Sequence, residues 1–176
     1  MIIPSTPGSP PSAISAGVIQ DIQDLALVDF HKVEMLFLPQ AWADAPPISC
    51  TWLRNDFPPI PRNSIPKMPG VYVFVVVTNL FDFPFANGLF YVGKAKNLYE
   101  RVGAYLGDEN KRLLNSKRPL VWRMLNLWSG HLNYFYTTTA DVGAAEYLEN
   151  QMINAFRPPF NRQYDATTSQ TMRAFL

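Results

Sequence analysis

Cysteine is almost absent from this chain: Cys50 stands alone among 176 residues. A lone cysteine excludes an internal disulfide and any multi-cysteine metal site, and it fits a reducing, cytoplasmic compartment. Histidine is nearly as scarce, and His31 and His131 have no metal-ligand spacing between them. Charge is sparse too, at 16 % of residues, with 15 Lys and Arg against 14 Asp and Glu and a net of +1. That balance excludes a polybasic, histone-like protein and, taken alone, makes nucleic acid a poor first guess. The longest apolar run, Val71 to Val77, falls far short of the roughly 18–20 residues that span a bilayer, so no membrane span is expected. Met1-Ile2-Ile3-Pro4 lacks the basic and long apolar regions of a signal peptide, and none is expected.

Apolar residues are plentiful: 48 % of the chain, with 14 % aromatic. That content excludes disorder throughout and suffices for one domain with a real core. Residues 1–16 carry Pro4, Pro7, Pro10 and Pro11 among Ser, Thr and Gly, and are expected to form a disordered tail. Val18, Ile22 and Leu25 recur at helical spacing, whereas the stretch Val33 to Ser49, with its cluster Met35 to Leu38, has no clear period. Phe57 to Pro69, with five prolines, reads as an extended linker ending at a turn. Beyond it, Val71 to Val77 reads as a central strand, and Asn87-Gly88 followed by Leu89 to Gly93 as the second arm of a hairpin. Asn97 with Glu100 forms a capping-box pattern ahead of the apolar stripe Leu98, Val102, Tyr105 and Leu106. One or two helical pieces broken at Pro119 follow, then a strand from Leu132 to Thr137. Asp141 caps a last helix that stops before Arg157-Pro158-Pro159. The expectation is an α+β domain: a small three-stranded antiparallel β-sheet flanked by helices, in the order β-β-α-α-β-α, behind an N-terminal extension.

The last helix holds a carboxylate on its apolar side. At about 100° per residue, Glu149 lies about 100° from Leu148, amid the arc formed by Met152, Ala145, Phe156, Val142 and Ile153. A buried carboxylate is costly unless it is paired, hydrogen-bonded or bound to a metal, and these alternatives remain open from periodicity alone. Glu146, at the edge of the arc, reads as solvated.

Gly70-Val71-Tyr72, Tyr91-Val92-Gly93, Lys94-Ala95-Lys96-Asn97-Leu98 with Arg101-Val102, Leu148-Glu149 and Pro158-Pro159-Phe160-Asn161 together resemble the GIY-YIG nuclease family, nearest its UvrC-like branch. Each tripeptide is weak, but five elements in the family's order on the expected strands and helices are specific. The resemblance covers residues 64–164, leaving 17–63 as a partly helical extension and 165–176 as a C-terminal tail. It implies a DNA endonuclease in which Glu149 is the lone protein ligand of Mg²⁺ or Mn²⁺, an arrangement that a cation reluctant to shed water tolerates. Arg101, beside the apolar stripe of its helix, would clamp a phosphate. Tyr72 and Tyr91 would lie in the active site, with Tyr91 favoured to activate water. Lys94, Arg101 and the metal are expected to lower the tyrosine pKa from about 10. Lys94 would contact phosphate, Asn161 would orient the site, and Tyr105 would touch substrate. Standing alone, these residues would read as strand packing, a surface ion pair and turn residues.

Charge is distributed unevenly. From Lys94 to Arg123, eight basic residues (Lys94, Lys96, Arg101, Lys111, Arg112, Lys117, Arg118, Arg123) face three acidic ones, whereas residues 1–66 hold three basic and six acidic. A basic segment beside the site is the footprint of a phosphate backbone, although Lys111 to Arg118 also suits a solvated helical pair. Trp42, Trp52, Trp122 and Trp128 are expected mostly in the core, and Cys50 is expected to be inert. The span from Tyr72 to Tyr91 exceeds the family's usual one, making Thr78 to Gly88, with Phe81, Phe83 and Phe85, an insertion. Ala144 stands where the family often has a second acid. No second nuclease half or helix-hairpin-helix part is present, so dual incision by this chain alone is not expected. The competing reading is a non-cleaving DNA-binding or assembly module on the same fold. One site per chain requires dimerisation or sequential nicks for a double-strand break, and the extension is the expected dock for a second copy or a partner protein.

Overall fold

The computed structural model of the protein describes residues 17–20, 39–77, 88–109 and 111–161. The readings placed on residues 1–16, Ile22, Leu25, His31, Met35 to Leu38, the loop 78–87 and residues 162–176 lie outside the described residues. Four strands, β1 (Leu53–Asp56), β2 (Gly70–Val76), β3 (Gly88–Ala95) and β4 (Leu132–Thr138), form one antiparallel sheet in the order β1-β4-β2-β3. Helices α1 (Pro39–Ala43), α2 (Leu98–Glu109), α3 (Pro119–Leu127) and α4 (Val142–Phe156) accompany it. From Gly70 onward the order is strand, strand, helix, helix, strand, helix.

The sheet has four strands rather than the expected three. β1 adds to the edge through pairs running from Leu53 with Tyr136 to Asp56 with Asn133. Leu53 is 52 % exposed, so β1 is held by its ladder rather than by apolar burial, and no alternation marks it in the sequence. The Phe57 to Pro69 passage is likewise no linker. Phe57 and Ile65 are buried in the core on either side of a 3-10 turn at Arg62–Ser64.

β2 is apolar throughout because both faces are covered. Tyr72, Phe74 and Val76 join Leu98, Val102 and Tyr105 of α2 and Val121, Met124 and Leu125 of α3 in one core. Val71, Val73 and Val92 meet Ala145, Leu148 and Ile153 of α4 in the other. This is the period-two division of a strand buried on both sides. Gly70 is required where β2 approaches β4: a Cβ there would lie 2.2 Å from the Thr137 carbonyl oxygen.

Helix ends follow the sequence signals. Asn97 Oδ1 accepts from the Glu100 N–H at 3.2 Å, and Asp141 Oδ1 from the Ala144 N–H at 2.7 Å. Pro119 opens α3 at its first turn instead of breaking a helix, preceded by a 3-10 turn at Leu113–Asn115. α4 ends where Arg157 turns left-handed at φ 49°. Val142 and Phe156, assigned to the apolar arc, lie at the helix ends and are exposed. Among the described residues, no helix is long and apolar enough to cross a membrane.

Candidate active site

Among the described residues β3 pairs only with β2, so its outer edge carries backbone groups that no described strand satisfies. Three residues close that edge. The Phe160 N–H donates to the Phe90 carbonyl at 3.0 Å. The Asn161 amide brackets Val92, accepting from its N–H at 2.9 Å and donating to its carbonyl at 2.7 Å. Glu149 Oε1 accepts from the Lys94 N–H at 2.9 Å. Asn161→Ala strips two buried backbone groups of their partners, at about 1–3 kcal/mol each. Urea unfolding is expected to show a loss of about 2–6 kcal/mol, whereas an unchanged midpoint would mean that the bracket is not a stabilising contact.

Beside this edge lies a cleft of about 330 Å³ lined by Tyr91, Glu149, Asn161, Phe160, Lys117 and Arg118, with α3 and α4 contributing Val121 and Ile153. It forms where the two helical layers meet past the last strand. Tyr91 faces it because the register shifts between Phe74 and Val75, leaving Phe90 as an extra residue and Tyr91 opposite Phe74. Gly93 makes room for two rings: a Cβ there would lie 2.3 Å from the Tyr72 hydroxyl and 2.8 Å from Tyr91.

Tyr72 is 1 % exposed and its hydroxyl shares a 2.7 Å hydrogen bond with that of Tyr105, itself fully buried. Tyr134 stacks on Tyr72 with ring centroids 5.6 Å apart. Burial pushes the Tyr72 pKa well above its ordinary value, and the opposing pull of Arg101 is smaller. The expected lowering therefore fails for Tyr72, because leaving water costs more than one nearby cation returns. Nor does Tyr105 meet substrate directly, since it lies beneath Tyr72.

Arg101 has no carboxylate partner among the described residues, and its charge acts on Tyr72, Tyr105 and Tyr134 together. The Lys94 ammonium is 2.5 Å from Glu146 Oε1 and 3.5 Å from Glu149 Oε2, so in this structure it pairs with two carboxylates. The bond to Glu146 foremost, with the field of Glu149, raises the Lys94 pKa. Burial raises that of Glu149, against the pull of Lys94. Lys96, Lys111, Arg112 and Lys117 are exposed; Lys111 pairs with Asp108 at 3.0 Å.

Among the described residues, no three His, Cys, Asp or Glu side chains gather as a metal cage. The cleft lining holds one carboxylate, the partly buried Glu149, with Oε1 taken by the Lys94 N–H and Oε2 only loosely approached. A single hard oxygen donor at the wall of a cleft roomy enough for water suits Mg²⁺ or Mn²⁺, which keep most of their waters.

A family model described as the UvrC-like GIY-YIG domain matches residues 68–162. The chain belongs to that family. The GIY-YIG domain is 33 % identical over 97 residues to UvrABC system protein C of Helicobacter hepaticus, a match spanning 55 % of this chain and 14 % of that protein. It is 35 % identical over 99 residues to the same protein of Petrotoga mobilis, across 56 % of this chain and 15 % of that one. The chain thus spans about one seventh of the length of these relatives. Among solved structures it is similar to the GIY-YIG N-terminal endonuclease domain of UvrC from Thermotoga maritima bound to its catalytic magnesium, with 27 % identity, a TM-score of 0.37, and coverage of 55 % of this chain and 86 % of that one.

Within the GIY-YIG domain, Tyr91, Glu149, Asn161, Lys117 and Arg118 share the cleft, while Tyr72, Tyr105, Lys94 and Arg101 stand around it. Two pairings escaped the sequence reading, although Glu146 is solvated as expected. Glu146 binds Lys94 across 52 positions, and Asp108 binds Arg118 across ten. Neither pair has a local signature: Glu146 is exposed on α4, and Asp108 is buried at the end of α2.

Proposed function

We propose that the GIY-YIG domain is a metal-dependent DNA endonuclease that hydrolyses one phosphodiester bond per encounter. The carrying observation is the cleft that unites Tyr91 with Glu149, a carboxylate kept partly buried where an anionic substrate must approach. A module built only to bind DNA gains nothing from that charge.

Glu149 would hold the divalent ion, which would supply Lewis-acid neutralisation of the phosphate charge. Tyr91, on the cleft wall, orients the attacking water; as the new P–O bond forms, the water's proton passes to the Tyr91 oxygen while the Tyr91 hydroxyl gives its own proton to solvent in the cleft. The bond to the leaving oxygen breaks opposite, and that oxygen takes a proton from solvent. Arg101 stabilises charge that develops on the phosphate. Asn161 and the Lys94 N–H act at one remove, holding Tyr91's strand and the Glu149 carboxylate in place. Lys94 itself, paired with both glutamates, orients Glu149.

Supercoiled plasmid incubated with the protein and Mg²⁺ is expected to relax through nicked circles, and excess EDTA should abolish the reaction. Retained DNA binding without Mg²⁺-dependent nicking would instead indicate a binding module.

A further inference from the structure

Asp108, in the last turn of α2, is 7 % exposed. Its Oδ2 accepts from both Nε, at 3.0 Å, and Nη2 of Arg118, and its Oδ1 accepts from Lys111 Nζ at 3.0 Å. Burial works against this carboxylate, yet its two cations outweigh it and hold its pKa below the usual range. Arg118 is fixed on a second side as well, because its guanidinium lies 4.9 Å above the Tyr105 ring. It stands at the entrance to α3, its backbone N–H on Ser116 Oγ at 3.1 Å. Despite these restraints its side chain is 34 % exposed, and it borders the cleft with Tyr91 and Glu149. The Nε and Nη2 edge of the fork is spent on Asp108.

A buried ion pair is weak as a source of stability, since desolvation consumes most of the attraction. Here it fixes the direction of a guanidinium that would otherwise sample many rotamers, and that ordering cost is met before any ligand arrives. Arg101 acts on the same Tyr105 from another position. The cleft region therefore offers two guanidiniums around one buried hydroxyl pair, only one of them held by a carboxylate.

We infer that Arg118, preset by Asp108, receives a second DNA phosphate, adjacent along the strand to the one that Arg101 engages. This inference rests on the reading of the cleft as a DNA-cleaving site and adds to it a subsite for the flanking phosphate. Arg118 touches DNA; Asp108 is a positioning residue.

The test is the binding of a fluorescently labelled duplex to the full chain in EDTA, followed by anisotropy across a salt series. Arg118→Gln is expected to weaken binding on the order of tenfold and to reduce the slope of log affinity against log salt by about 0.9, the loss of one phosphate contact. Asp108→Asn separates positioning from charge. Removing an anion near DNA tightens binding if only the field matters, whereas a receptor that loses its brace binds more weakly with a shallower salt slope. Unchanged affinity and slope in Arg118→Gln, or tighter binding in a folded Asp108→Asn, would overturn the inference. If Asp108→Asn melts below the assay temperature, Arg118→Gln decides alone. Plasmid nicking is scored separately, so a chain that binds in this pattern but never nicks sinks the nuclease reading and leaves the phosphate receptor standing.

Discussion

Glu149→Gln is expected to reduce Mg²⁺-dependent nicking roughly 1,000-fold, the loss of several kcal/mol of metal-borne charge neutralisation at about 1.4 kcal/mol per decade. Folding should survive, because glutamine keeps the oxygen that accepts the Lys94 N–H. Stability should even hold or rise at neutral pH. Burial raises the Glu149 pKa in the folded state above its unfolded value, so the folded chain favours the protonated form. Stability from this group is present at low pH and is lost as pH rises through the folded pKa. The amide never ionises and escapes that loss. DNA binding in EDTA should tighten slightly, since a negative charge facing phosphate is gone. Single-turnover rates and urea midpoints of both proteins check these signs together. Nicking retained within tenfold of wild type would remove Glu149 from the metal site.

Tyr91→Phe carries the second large effect. A positioned proton acceptor contributes about 10²–10⁴-fold, so cleavage should fall by that range while DNA affinity changes little. Tyr72→Phe is the instructive control. Tyr72 is buried, its hydroxyl is bonded to that of Tyr105, and it does not line the cleft, so it has no water to act on and no path to pass a proton to solvent. Its loss should appear as instability of about 1–3 kcal/mol, from leaving the buried Tyr105 hydroxyl without its 2.7 Å partner. Single-turnover rates and urea midpoints distinguish the two: Tyr72→Phe should lose stability and, where folded, keep cleaving, whereas Tyr91→Phe should keep its stability and lose cleavage. Near-wild-type cleavage by Tyr91→Phe would end the assignment.

Local chemistry made much of this fold legible. The run Val71 to Val77 announces a strand covered on both faces, Asn97 and Asp141 announce helix starts, and Arg157-Pro158 announces an end. Glu149 was conspicuous because a carboxylate in an apolar arc needs an explanation. What stayed hidden depends on partners distant in the chain. β1 is mostly polar and exposed, and exists because β4 offers it an edge. The depth of Tyr72 follows from Tyr105 and Tyr134, 33 and 62 positions away, which no periodicity in β2 reveals. The bracket of Asn161 on Val92 spans 69 positions. The pairing of Lys94 with its two glutamates is equally remote in sequence.

The closed edge of β3 carries a further consequence, for solubility. An open strand edge is a template on which another chain can add, and proteins block such edges with charge, cover or distortion. Among the described residues, the cover is assembled from Glu149 of α4 and from Phe160 and Asn161 in the turn that follows that helix, rather than from a further strand. The glutamate proposed to hold the metal thus also guards the sheet against edge-to-edge self-association. Its residue type is constrained from two directions: any replacement must still accept the Lys94 N–H, whatever becomes of the chemistry. The same logic sets a minimal folding unit, since a fragment ending before Asn161 would present Val92 to neighbouring chains.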